Sequence, residues 1–268
     1  MVATLGYEQI VNQPFLYING MNITVASTTT LTVTNGQCRD ITDEFDIIIP
    51  APFISSPPAT TTINAAVNGL NGLDTGVLAN NTWYAVYAIF SVTRSNSTNP
   101  AGYILSANLV NNPTLPPFYN VIRRIGWALT DGSAHFLTYW QAGNGSTRTY
   151  QWDIPITVHA SADVTTSFAA QALNTAIPTS NALPTILGGL WTPNSAGDAL
   201  SLRPTTSTST NGVQVVSGDV AAVAHVIQPF QFIPALNTST PPEPSIDLKG
   251  TSASDLLTLN VVGFVDYV

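Results

Sequence analysis

Eight consecutive residues, Trp83-Tyr84-Ala85-Val86-Tyr87-Ala88-Ile89-Phe90, constrain this chain more than any other stretch. All are aromatic, β-branched or small, and none is charged. Such residues fit a pleated surface, and the run has the length of a long strand rather than a helix. Successive side chains point to opposite faces, which sets Trp83, Ala85, Tyr87 and Ile89 against Tyr84, Val86, Ala88 and Phe90. Both sets are apolar. A half-exposed antiparallel strand alternates instead, so this one is expected to be covered on both sides, by a second sheet or by another subunit. Trp83, Tyr84 and Tyr87 are the residues expected at that structural contact. A Gly/Asn-rich turn containing Asp74 feeds the strand.

Turn signals recur about every ten residues on either side, as in an all-β sandwich or barrel. The expected fold is an antiparallel β-sandwich, jelly-roll-like, with an N-terminal β-hairpin arm. Asn19-Gly20 is read as the hairpin turn. Residues 1–50 form the arm, a docking element; Pro50, Pro52, Pro57 and Pro58 mark an extended linker over 51–62; and 63–268 form the sandwich, with a subdivision near 160. Asp131-Gly132 is expected to turn strand 119–129 back into His135–Trp140. The run DVTTSFAAQALNT, 163–175, suits a short helix or a strand. Val223 and Val226, among Ala221, Ala222 and Ala224, read as core, and Gly263 in the final strand suggests a bulge.

Charged residues make up only 8% of the 268, against roughly a quarter in typical soluble domains. A surface of hydroxyls and amides with so little charge suits a subunit embedded in an assembly. The formal charge of −8 and the scattered basic residues argue against nucleic acid, whose phosphates need clustered Lys and Arg. Cys38, the single cysteine, forms no internal disulfide and reads as a small buried hydrophobe. The opening MVATLGYEQIVNQPF lacks the basic and apolar regions of a signal peptide, and no apolar run has the length of a membrane span. Assembly inside a cell is the expectation.

Nucleophile elbows, zinc helices and phosphate loops do not occur in the sequence. His135, His159 and His225 lie far apart in apolar runs and read as core histidines rather than a metal site. The acidic group Asp40, Asp43, Glu44 and Asp46 has the chemistry for calcium but lacks EF-hand spacing, so it reads as a solvated turn. Asp74, Asp131 and Asp153 would serve a glycosidase only if two faced each other across a cleft. Trp83, Tyr87, Trp127, Tyr139, Trp140 and Trp152 suit a sugar-stacking platform or, better, core and interface packing. No catalytic, cofactor-binding or metal-binding residue is assigned.

Arg123 and Arg124 are adjacent on an apolar strand, so they point to opposite faces. At least one then faces the core or an interface and requires a carboxylate. Asp74 and Asp131 are the expected partners.

Three stretches carry a resemblance. They are TTLTVTNGQCRDITDEFDIII (29–49), GLNGLDTGVLANNTWYAVYAI (69–89) and NPTLPPFYNVIRRIGWALTDGS (112–133), with a closing GFVD over 263–266. Together they resemble a recurrent type of tailed-bacteriophage virion structural protein. The resemblance implies a non-enzymatic head or tail accessory part (fibre, decoration or vertex protein) located in the virion. Its implied partners are further copies of itself, a homotrimer above all, and other virion proteins. Two other readings stay open: a receptor- or glycan-binding module meeting host-surface glycan, and a polysaccharide-degrading enzyme. Residues 160–255 lie outside the resemblance.

Overall fold

The computed structural model describes residues 17–49, 60–94, 100–109, 112–143, 145–178, 183–239 and 242–268. Their regular secondary structure is almost wholly β-strand, with a single 3-10 turn at Val92–Arg94. The first strands are β1 (Ile18–Gly20), β2 (Ile23–Val25), β3 (Thr30–Thr34), β4 (Gly36–Arg39), β5 (Asp46–Ile49) and β6 (Thr60–Asn64). They form two three-stranded sheets, ordered β1-β4-β5 and β2-β3-β6. A central sheet follows, built from β7 (Gly72–Leu73), β8 (Trp83–Phe90), β9 (Ala101–Ser106) and β10 (Val121–Leu129) in the order β10-β8-β9-β7.

The remaining strands are β11 (Tyr139–Ala142), β12 (Thr147–Asp163), β13 (Ala169–Ala172), β14 (Thr185–Thr192), β15 (Ala199–Pro204), β16 (Val213–Ser217), β17 (His225–Phe232), β18 (Ala235–Leu236), β19 (Pro244–Gly250) and β20 (Leu256–Tyr267). One long sheet takes the order β11-β12-β20-β14-β17, and a back sheet takes β13-β19-β15-β16 with β18 beside β19. Among the described strands β7 and β9 pair in parallel, and the rest pair antiparallel. The fold is an all-β sandwich assembled from several antiparallel sheets.

The long sheet is the spine. At one end its inner face meets the central sheet through Tyr150, Trp152 and Phe264, and at the other it faces the back sheet through Leu187, Trp191, Leu257 and Leu259. These side chains, with Leu200, Leu202, Ile246 and Leu248 of the back sheet, are buried in one continuous core. A one-residue slip in β20 against β14, at Val262, switches which residues face inward, so Val261 and Phe264 share the core side. Gly263 sits at that bulge because a Cβ there would lie 2.0 Å from the Tyr150 carbonyl oxygen. The glycine expected to mark a bulge does so.

Several local expectations are corrected. Asn19-Gly20 does not join a hairpin: β1 pairs β4 and β2 pairs β3, so the chain changes sheets there. The left-handed backbone at Gly20 (φ 71) and Met21 (φ 55) makes that change of direction, and a Cβ on Gly20 would meet the Asn35 carbonyl at 2.6 Å. The linker expected over 51–62 lies outside the described residues up to position 59. Beyond it β6 pairs along the whole of β3, and Leu31, Val33, Cys38 and Ile47 are fully buried in the common core, so arm and body share a sheet and an interior. Strand β10 folds back onto His135–Trp140 only briefly, the Asp131 N–H donating to the His135 carbonyl and the Leu137 N–H to the Leu129 carbonyl. After one bridge, Thr130 to Phe136, the chain crosses to the long sheet, where β11 pairs β12. Residues 163–175 contain strand β13 and no helix.

Candidate functional site

The residues expected at an interface lie inside the molecule, Trp83 where the central and long sheets pack and Tyr84 on the opposite face of β8. Trp83, Tyr84 and Tyr87 are 6%, 3% and 0% exposed, so the chain's own sheets supply the cover and no second subunit is needed there. Trp83 lies edge-on to Trp127 and Phe264 and tilted against Trp152, with centroids 5.8–6.4 Å apart. Tyr150 stacks on Phe264 at 4.5 Å. Two of the three buried indole N–H groups in this cluster are met by one loop: Trp83 Nε1 donates to the Asn174 carbonyl at 3.0 Å and Trp152 Nε1 to that of Ala176 at 3.2 Å. On the opposite face of β8, Tyr84 packs edge-on against Phe136.

Both arginines of β10 are largely buried. Register slips between Arg124 and Gly126, and this bulge places Arg124 and Trp127 on one face although they are three residues apart. The Arg124 guanidinium lies 4.4 Å over the Trp127 ring. It donates to both oxygens of Asp266, Nη1 to Oδ2 at 2.5 Å and Nη2 to Oδ1 at 3.2 Å, and to the Tyr267 carbonyl at 3.2 Å. Asp266 is fully buried. The expectation of a carboxylate partner is met, but by neither candidate named from sequence. Asp74 instead accepts from the Ser106 hydroxyl at 2.6 Å and the Thr114 N–H at 3.2 Å. Asp131 accepts from the N–H groups of Ser133 and His135 in its own turn, and those bonds hold its pKa down. Asp131 is thus satisfied within its own turn, whereas the Ser106 and Thr114 partners of Asp74 lie 32 and 40 positions away.

One further buried group, Arg148, escaped the sequence reading. Arg148, fully buried, stands opposite Asp266 in register and donates to the Gly20 carbonyl at 2.7 Å and to the Asn22 side-chain oxygen. It ties the long sheet to the first strands. Burial pulls its pKa down, opposed by Tyr150 and Asp266. Arg123, 6% exposed, is likewise shifted down by burial, against the pull of Cys38 and Asp40. Cys38 is a free, buried thiol, raised to about 12 by burial. The only warning in the sequence was an arginine at an inward position of an alternating strand.

The acidic turn after β4 organises itself. Asp40, 3% exposed, accepts from the N–H groups of Thr42, Glu44 and Phe45 and from the Thr42 hydroxyl. Burial pushes its pKa up, but the Phe45 amide, the Thr42 groups and the Glu44 amide outweigh that and lower it. Asp43 and Asp46 pair with Arg39 at 3.2 and 3.0 Å. Among the described residues, no group of three or more His, Cys, Asp or Glu is placed to hold a metal. His135 is half exposed beside Asp131 rather than in the core.

Asp255 shows the opposite behaviour. It is fully buried and accepts from the Asn194 and Ser252 amides, yet burial and the facing Asp198 carboxylate raise its pKa. A raised folded-state pKa stabilises the fold fully below the unfolded value and loses that contribution as pH climbs through the folded value. Asp40, shifted down, contributes above its unfolded pKa and loses its contribution as pH falls through the folded one. Asp198→Asn is therefore expected to raise the melting temperature at pH 7 by about 2–4 °C, with little change at pH 3. Equal shifts at both values in differential scanning fluorimetry would contradict this account.

The outer face of the long sheet is open. Val226 stands opposite Leu190 across β17 and β14, and the two are 61% and 45% exposed; Leu256 lies nearby on β20. The loop before β17 adds exposed Val220 and Val223 and is tied to the Pro193 carbonyl by the Ala222 N–H at 2.8 Å. The valines expected in the core are thus on the surface. Their alanine-rich setting made a buried strand plausible, but Ala222 adopts φ 58 in a turn and the strand begins only at His225. Trp140 is also exposed on this face, whereas Trp83, Trp127, Trp152 and Trp191 are buried.

No protein-family model and no curated protein matches the chain. Among solved structures it is similar to a Bacillus thuringiensis Cry1Da tryptic core variant, at 8% sequence identity and a TM-score of 0.23, over 94% of this chain and 52% of that one. The chain thus spans about half of that chain's length.

Proposed function

We propose that this chain is a non-enzymatic structural part of a tailed-bacteriophage virion, a head or tail accessory that works by assembling as a homotrimer with other virion proteins. The observation that carries the reading is the apolar patch of Val226, Leu190 and Leu256 on the open face of the long sheet. Obligate interfaces resemble a domain core cut in half, and neighbouring aliphatic side chains on an open sheet face have that character. The resemblance of residues 29–49, 69–89 and 112–133 to virion proteins supplies the setting. The internal use of the chain's few charges also supports it: arginines 39, 124 and 203 all close onto aspartates of the same chain.

Light scattering on the purified chain is the test. The expected mass is three times the 28.3 kDa protomer, and Val226→Asp with Leu190→Asp should reduce it to one without loss of the β-sheet circular dichroism signal. A stable monomer at micromolar concentration in the unmodified chain would overturn the assembly role. Its absence from purified particles, by mass spectrometry, would overturn the virion setting.

A further inference from the structure

We infer that the other end of the same face is a binding platform for a neutral oligosaccharide, anchored by Trp140 and Tyr267. Trp140 is 63% exposed and Tyr267 60%. Both face outward: their neighbours Tyr139 and Asp266 are buried, and alternation along a strand sends adjacent side chains to opposite sides. Trp140 is on edge strand β11, opposite Gln151 of β12, and Gln151 is opposite Gly263 of β20. Tyr267 stands opposite Thr147. Two strands across and four residues along separate the aromatics by about 16 Å. That span fits an oligosaccharide and exceeds one sugar ring.

The chemistry between the anchors suits hydroxyl-rich ligands. Gly263 has no side chain, so the surface beside Gln151 is shallow. Gln151 is exposed and supplies amide donors and an acceptor. Diagonal to Trp140, exposed Asp153 offers a carboxylate whose Oδ2 is fixed by the Thr138 hydroxyl at 3.2 Å. Thr149 and Val265, paired in register, lie on the path to Tyr267. An indole face stacks on the C–H face of a pyranose ring while neighbouring amides and carboxylates bond its hydroxyls. An acidic sugar is disfavoured. The nearby guanidinium groups of Arg124 and Arg148 are engaged on the inner face with Asp266, Gly20 and Asn22, so neither of these cations meets a ligand carboxylate or sulfate on the outer face.

The inference does not rest on the virion role, and its test uses the isolated full chain. Cellohexaose, mannohexaose and chitohexaose, with hyaluronan hexasaccharide as the acidic comparison, are titrated by calorimetry and by tryptophan emission. At least one neutral hexasaccharide is expected to bind and to shift emission to the blue, because Trp140 is the exposed indole among four buried ones. Trp140→Ala should weaken binding at least tenfold, and Trp140→Phe less. Tyr267→Ala should weaken the hexasaccharide but not the matching disaccharide. No binding by any neutral probe, stronger binding of hyaluronan, or affinity unchanged in both alanine variants overturns the inference. So does dissociation of the oligomer by Trp140→Ala, which would make this end of the face a contact between copies.

Discussion

Replacing Asp266 with Ala will destabilise the fold by about 3–5 kcal/mol, the usual cost of stranding a buried charge. The carboxylate is fully buried and is bonded through both oxygens to Arg124. Arg148 stands beside it in register, so its loss leaves two guanidinium groups sharing an interior without their anion. Arg124→Ala should cost a similar amount and also removes the cation over Trp127. The paired replacement Arg124→Met with Asp266→Leu should recover most of the loss, since apolar side chains of similar volume need no partner. Urea denaturation of the four proteins forms a double-mutant cycle. Single losses below 1 kcal/mol would show that the pair is solvated and the account wrong.

Trp83→Ala is the second large effect, at about 3–5 kcal/mol. The side chain touches Trp127, Trp152 and Phe264, and its N–H holds the 174–176 loop. Truncation opens a cavity between rigid rings carried by three strands of two sheets, so collapse around it is restricted. Trp83→Phe, which keeps a ring but forfeits the hydrogen bond, should cost less. Near-ultraviolet circular dichroism should lose much of its aromatic signal in the alanine variant while the far-ultraviolet strand signal persists. An alanine variant as stable as the parent would place Trp83 outside the core.

The all-β class and the strand at 83–90 were legible because both rest on local pattern: residue type, length and the alternation of faces. Arg123 and Arg124 show where that pattern stops. Adjacent strand positions required one of them to be inward, and a buried guanidinium required a carboxylate. Choosing Asp266 over Asp74 or Asp131 depended on which strand of another sheet packed against β10, and that partner is 142 residues away. Turn chemistry likewise misled at Asn19-Gly20: both residues end strand β1, and the change of direction at Gly20 and Met21 leads into a different sheet instead of closing a hairpin. Val223 and Val226 failed for another reason. Hydropathy marks a residue as fit for burial, and an apolar face left open has the same composition as a closed one. The single exposed tryptophan was indistinguishable in sequence from the buried ones for the same reason.

Strand β20 lies between β12 and β14 in the long sheet, yet it follows every other described strand in the chain. During translation, the ribosome must pass residue 267 before either neighbour gains its middle partner. Until then Trp83 and Trp152 lack Phe264, and Arg124 lacks its counter-ion. Folding that waits on such distant pairings is slow, and the waiting half exposes apolar surface on which nascent chains adhere to one another. A copy cut short by a damaged message keeps most of its strands and loses the one that locks them. Early termination therefore yields an unfinished interior rather than a slightly smaller building block, and an assembly that accepts only closed subunits would exclude it.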